Sequence, residues 1–303
     1  MKEEQQSNTV FYVLMVLAMI AWGASWVNAK VLSDYITAQE LIFYRYFITT
    51  ITLIPVLIYM KQSFKIDFKT LLLALLASVF LVLYSIFFFD GTKYGSPGLG
   101  GAFVTSLTPI LTFLILISFF KKYFIKKDIF ALFIGAIGVL TILNIWMFTI
   151  DEILITSNIY FIFACFAWAG LTISNSKLKT IKPLVFTFYV YVITTVIGYF
   201  ITPFNSGNIF EFDSIFWINF LIISIVSTTF ATSIYFVGIS KLGASSASAF
   251  IFLVPFNSIF LSYIFLNEPI YVTTIIGTIL TIFAVSLLNN IKFTNFLKSK
   301  GNK

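Results

Sequence analysis

The side chains in this sequence that could recognise a small solute are aromatic rings and uncharged hydrogen-bonding groups. Trp22 and Trp26 stand four residues apart, and Trp168, Thr172 and Asn175 follow at i, i+4 and i+7, so each set shares one face of a helix. Tyr84, Thr105 and Tyr235 add hydroxyls, and Asn28 and Asn257 add amides, all inside apolar stretches. Rings interleaved with neutral polar groups suit a small amphipathic or zwitterionic solute better than a polyanion. Each residue also has a plain packing alternative, because tryptophan fills space between helices and a buried amide must hydrogen-bond a neighbouring helix. The charged candidates are Arg45, the only arginine, and the acids Glu40, Asp90 and Glu268.

Catalytic and metal chemistry has little material. There is no histidine, and the one cysteine, Cys165, sits in an apolar run, which excludes a disulfide framework and a cysteine-based metal site. The expectation is therefore no enzyme activity, no cofactor and no metal. The stretch Gly95-Ser96-Pro97-Gly98-Leu99-Gly100-Gly101 imitates a phosphate-cradling loop, but no strand precedes it and no Lys-Ser/Thr follows. Its better reading is Ser96 as N-cap, Pro97 in the first helical turn, and glycines that let helices approach closely. Ser245, Ser246 and Ser248, interleaved with Ala247 and Ala249, suggest the same for a later helix.

The elements that must carry these residues follow from composition. The chain has 303 residues, 59% of them apolar and 10% charged, with a mean hydropathy of +1.00. A soluble domain is far less apolar, so much of this surface must face lipid. Spans of about 20 residues each leave no room for a soluble domain beside ten of them. This rules out a secreted enzyme, a cytosolic binding module and a nucleic-acid partner, although the net charge is +7.

Apolar runs fall at 9–29, 40–60, 70–91, 97–120, 127–147, 156–176, 184–203, 215–238, 245–266 and 270–290. The first is too long for a signal-peptide core, follows Glu3 and Glu4, and lacks a convincing cleavage site, so it reads as a retained span. Lysine placement sets the orientation. With the N-terminus inside, sixteen lysines lie in inner segments and only Lys30 and Lys93 lie outside. Asp34, Asp151, Glu152, Glu211, Asp213 and Glu268 all fall outside. Both termini are thus expected in the cytoplasm.

The two halves resemble each other at a shift of 146 to 148 residues. Ala21-Trp22-Gly23 answers to Ala167-Trp168-Ala169, Lys93-Tyr94-Gly95-Ser96 to Lys241-Leu242-Gly243-Ala244, and Pro109 to Pro255. Each half holds five spans, an odd number, so the second enters the membrane from the opposite side and the repeat is inverted. The expected fold is all-α, ten transmembrane helices in two inverted five-helix units at 1–150 and 151–303, with a substrate site near the midplane between them. Trp22 and Trp168 then occupy symmetry-related places, deeper than an interfacial belt. Arg45 lies about 7–8 Å inside the outer end of its run if Glu40 marks that end, at about 1.5 Å per residue. Pairing with Glu40 or Asp90 is the favoured role, with snorkelling and contact with a substrate carboxylate as alternatives.

These residues together resemble the drug/metabolite transporter superfamily, and within it the EamA-type family. The resemblance is carried by AWGASWVNAK in the first run, the arginine of ELIFYRYF, KYGSPGLGGAFVTSLTPILTF and KLGASSASAFIFLVPFNSIFLSYIFLNEP. It implies a secondary transporter of the plasma (inner) membrane that exports small metabolites, an amino acid being the leading cargo, with lipophilic-cation efflux as a rival. Glu268 fits the family's acidic position after the ninth span, whereas Lys121 and Lys122 stand at the matching place after the fourth. The partners implied are a small-molecule solute and the lipid bilayer; a monomer and a homodimer fit the sequence equally.

Overall fold

The computed structural model describes residues 2–120, 126–142, 156–176, 182–242, 250–251 and 253–288, and among them there is no strand. The helices are α1 (Lys2–Leu32), α2 (Ala38–Tyr59), α3 (Phe68–Tyr94), α4 (Pro97–Phe120), α5 (Lys126–Ile142), α6 (Thr156–Ser176) and α7 (Pro183–Ile201). A continuous rod follows, made of α8 (Ser214–Leu221), a π-helical segment (Ile222–Phe230) and α9 (Ala231–Leu242). The last two helices are α10 (Leu253–Leu266) and α11 (Val272–Leu288). Among the described residues, six stretches are long and apolar enough to cross a membrane: Phe11–Leu32, Ala38–Tyr59, Phe68–Tyr94, Ser157–Ser174, Pro183–Ile201 and Ser214–Tyr235. The chain is a polytopic, all-helical membrane protein.

Helix starts follow local chemistry. Thr37 and Glu40 form a reciprocal capping box on α2, and Asp67 and Asp213 cap α3 and α8. Ser96 Oγ accepts from Leu99 N at 3.1 Å ahead of Pro97, as the sequence suggests. At the other polarity, Lys30 Nζ donates to Lys93 O (2.6 Å) and Gly95 O (3.3 Å), placing a cation where α3 ends.

Helix contacts fall into pairs that interchange when the first five helical rods are swapped for the second five. The pair α3–α6 answers to α1 against the π segment and α9, α1–α10 to α4–α6, and α3–α7 to α2 against the π segment; α2–α7, α4–α10 and α5–α11 answer to themselves. At the α5–α11 crossing backbone meets backbone: a Cβ on Gly277 would lie 2.5 Å from Gly138 O and 2.7 Å from Ile142 N, which only glycine permits. Buried side chains gather in three clusters. One holds Trp26, Phe88, Phe103, Phe161 and Phe216; a second holds Tyr46, Leu57, Leu81, Phe186 and Tyr191; a third holds Met15, Met19, Phe250 and Val254. Equally large apolar residues such as Ile51, Leu72, Phe133, Phe200 and Ile279 point outward, where lipid solvates them.

Candidate functional site

Two tryptophan–tyrosine pairs face each other across the halves. The Trp168 ring on α6 lies 4.5 Å from that of Tyr84 on α3, and the Trp22 ring on α1 lies 5.2 Å from that of Tyr235 on α9. In each pair the tryptophan belongs to the first helix of one half and the tyrosine to the third rod of the other. All four rings are only half-buried although they sit mid-helix. Trp26 behaves differently: it is 2% exposed and packs edge-on against Phe88 at 4.6 Å and Phe161 at 5.9 Å. The two tryptophans of α1 therefore do different work, Trp26 in the core and Trp22 beside Tyr235.

Arg45 joins α2 to the π segment. Its Nε and Nη2 both donate to Thr228 Oγ1, at 3.0 and 2.8 Å, and the Thr228 hydroxyl donates to Ile223 O at 2.6 Å, five residues back. That five-residue reach belongs to the π segment, whose carbonyls are spaced for a hydroxyl five residues on rather than four. Thr49 Oγ1 donates to one of them, Ser224 O, at 3.0 Å, and Thr52 Oγ1 and Thr229 Oγ1 lie 2.7 Å apart. Hydroxyl contacts thus lace α2 to the π segment along their shared length. Next to Thr228, Ser227 Oγ donates to Ala21 O at 2.6 Å, beside Trp22, and on the other side Arg45 Cζ lies 5.4 Å from the Tyr46 ring centroid, while Tyr46 Oη is 3.0 Å from Ser85 Oγ, next in the chain to Tyr84. Contacts thus lead from Ser85, next to Tyr84, through Tyr46 and Arg45 to Thr228, whose neighbour Ser227 reaches Ala21, next to Trp22.

The expected pairing of Arg45 with Glu40 or Asp90 is not what the structure places there. Glu40 is 2% exposed, and its carboxylate accepts from Thr37 N (2.8 Å), Thr37 Oγ1 (2.9 Å), Ser206 N (2.9 Å) and Ser206 Oγ. Those four donors satisfy it without a cation and tie α2 to the segment after α7. Asp90 is half-buried on α3 with Lys93 as its neighbouring charge.

Glu268 acts in the same way at another seam. Its Oε2 accepts from Ser96 Oγ at 2.8 Å and Gly98 N at 3.0 Å, so a carboxylate from the α10–α11 connection sits on the N-terminus of α4. A cavity of about 200 Å³ adjoins it, lined by Leu99, Ile259, Tyr271 and Thr274 among others. A third tie joins Tyr35 Oη to Asp213 at 3.0 Å. The Phe216 N–H, then Tyr35, holds the Asp213 carboxyl below the usual range, while burial and then Asp213 push the Tyr35 phenol up.

The remaining candidates disperse. Asn28 is buried, and its Nδ2 has no hydrogen-bond partner among the described residues. Asn257 donates to Leu253 O at 2.8 Å and packs its Cβ against the α1 backbone at Gly23. Thr105 and Thr172 each donate back to their own helix, to Gly101 O and Trp168 O, and Thr172 is exposed. The side chain of Asn175 lies outside the described residues, as do Ser245 to Ala249, Lys121 and Lys122. The sequence reading passed over Tyr191, buried on α7 with its ring 5.3 Å from Tyr46, whose Oη is 3.0 Å from Ser85 Oγ. Tyr191 stands 146 residues after Arg45, so the repeat shift was the signal that could have found it.

Comparison with known proteins shows the family. The family model described as the EamA-like transporter family matches twice, at residues 9–144 and 155–290. The uncharacterized transporter YyaM of Bacillus subtilis (strain 168) is 25% identical over 283 residues, covering 90% of this chain and 92% of that one. The uncharacterized transporter YetK of the same organism is 24% identical over 278 residues, covering 88% and 82%. One solved crystal structure superposes with a TM-score of 0.59 at 14% identity, over 92% of this chain and 96% of that chain, a likeness of fold.

Proposed function

The chain belongs to the EamA-like transporter family, and on that premise we propose that it is a secondary transporter of the plasma (inner) membrane exporting small metabolites by alternating access. In this reading, ten spans form two inverted five-helix halves, 1–150 and 151–303, which rock about a site at their interface. The observation that carries it is the pair of tryptophans 146 residues apart, Trp22 and Trp168, each packed at a tilt against a tyrosine of the opposite half. Interchangeable helix contacts support the repeat, and two family matches offset by the same 146 residues support it again.

The cargo we favour is an amino acid, an aromatic or other apolar one first. A guanidinium beside the rings repels cations, which disfavours lipophilic-cation efflux. Both termini are assigned to the cytoplasm from the lysine distribution. Metabolite profiling of medium from overexpressing and deleted cells tests the function: a small metabolite should rise in one and fall in the other. Impermeant thiol labelling of single cysteines tests the topology: positions 205–212 should react from outside and 62–67 should not. Unchanged medium would sink the export reading, and reversed labelling the inverted-repeat reading.

A further inference from the structure

We propose that Arg45 is the anchor for a carboxylate of the transported solute, a proposal that rests on the transport reading above. The guanidinium has two neutral partners among the described residues, the Thr228 hydroxyl and the face of Tyr46, whose ring centroid lies 5.4 Å from Arg45 Cζ. Its Nε and Nη2 are both taken by the Thr228 hydroxyl oxygen, which carries no charge, and the Nη1 side of the fork has no protein acceptor among the described residues. Three acids are engaged elsewhere, Glu40 by Thr37 and Ser206, Asp213 by Tyr35 and Phe216 N, and Glu268 by Ser96 and Gly98 N, and no carboxylate pairs with Arg45 among the described residues. A fixed cation inside a membrane protein, lacking a counter-ion, is poised for an anion that arrives and leaves.

Two further observations set the class of anion. Thr228 grips one edge of the guanidinium and thereby fixes its plane, leaving the end of the fork for a planar two-oxygen acceptor, the geometry of a carboxylate. The site is also lopsided. The residue 146 positions on from Arg45 is Tyr191, so the second half offers a phenol where the first offers a cation. Arg45 lies over the Tyr46 ring, Tyr46 Oη is 3.0 Å from Ser85 Oγ, and Tyr84, next in the chain to Ser85, packs on Trp168 as a half-buried aromatic pair. A solute with one carboxylate and an apolar or aromatic remainder matches both ends; a di-anion or a cation does not.

The test uses full-length protein in liposomes loaded with the protein amino acids, the corresponding amides, the decarboxylated amines and inorganic phosphate. Efflux of each is read by mass spectrometry against protein-free vesicles. Carboxylate-bearing members should leave at least tenfold faster than their amides and amines. Arg45→Gln should collapse that acid-to-amide ratio by tenfold or more, Arg45→Lys should restore part of it, and Thr228→Val should slow the acids while keeping the ratio above one. Equal efflux of acids and amides by the unaltered protein, faster efflux of phosphate than of any carboxylate, or an Arg45→Gln variant that slows every member in equal proportion would each overturn the assignment and leave transport standing. Efflux of no member above protein-free vesicles would overturn the transport reading itself, and the anchor with it.

Discussion

Replacing Glu268 by Gln should loosen the seam between α4 and the α10–α11 connection without disturbing the rest of the fold. The glutamine keeps the size and one acceptor oxygen but removes the charge that accepts from Ser96 Oγ at 2.8 Å and Gly98 N at 3.0 Å. Hydrogen bonds to a charged group contribute about 1.5–3 kcal/mol and neutral ones about 0.5–1.5 kcal/mol, so each weakens by about 1 kcal/mol. The lost charge at the helix terminus adds about 0.3–1 kcal/mol. Glu268 is half-buried, and water recovers part of the total, which leaves a cost of about 1–2 kcal/mol. If the halves part along this seam during transport, that cost raises the open population about tenfold, at about 1.4 kcal/mol per decade. Ser262 is fully buried there, with its Cβ 3.1 Å from where a Cβ on Gly98 would lie, so Ser262→Cys is a near-isosteric reporter. Its labelling by an impermeant thiol reagent should run about tenfold faster in the Glu268→Gln background, while fully buried Cys165 stays silent. Equal labelling rates in the two backgrounds would refute the reasoning.

Trp22→Ala and Trp168→Ala should each lower transport much more than membrane abundance, whereas Trp217→Phe, within a cluster of Phe210, Phe216 and Phe220, should be tolerated; parallel loss of abundance and transport would leave packing as the role of the two pairs. Gly277→Ala should cost about 1–3 kcal/mol by forcing α5 and α11 apart, read as a melting temperature lowered by several degrees in detergent, and an unchanged melt would contradict the crossing. In liposomes a substrate gradient alone should drive flux, and an imposed pH gradient should not drive accumulation, because Glu40 and Glu268 are held in local hydrogen bonds. Uphill accumulation that disappears in Asp90→Asn would make Asp90 a coupling residue.

What the sequence reveals depends on the range of the interaction. Ser96 and Pro97 start a helix through neighbours in the chain, so the start of α4 was readable and lies at Pro97. The tryptophans were readable because the repeat marks them twice. The role of Arg45 was not, since its partner is 183 residues away and that partner's carbonyl acceptor exists only because nine residues are wound as a π-helix. Residues 215–238 read as one uniform apolar run, and nine residues are too few for apolar spacing to separate a π from an α period. Glu40 was mistaken for a charge partner because its true donors include Ser206, in a polar connection whose path no local pattern fixes.

The π segment, finally, bears on the balance of the transport cycle. A protein of two identical inverted halves would look the same from either side of the membrane, and its inward-open and outward-open forms would have equal free energy. On the inverted-repeat reading, Ile222–Phe230 breaks that degeneracy, because the first half has a plain α-helix, α3, where the second has a widened turn gripping Arg45. That stretch of backbone then joins the Arg45–Tyr191 difference in setting the resting preference of the empty carrier. Deleting a single residue from it, so that the rod returns to an α-helix, is the change most suited to tilt the carrier towards its other face.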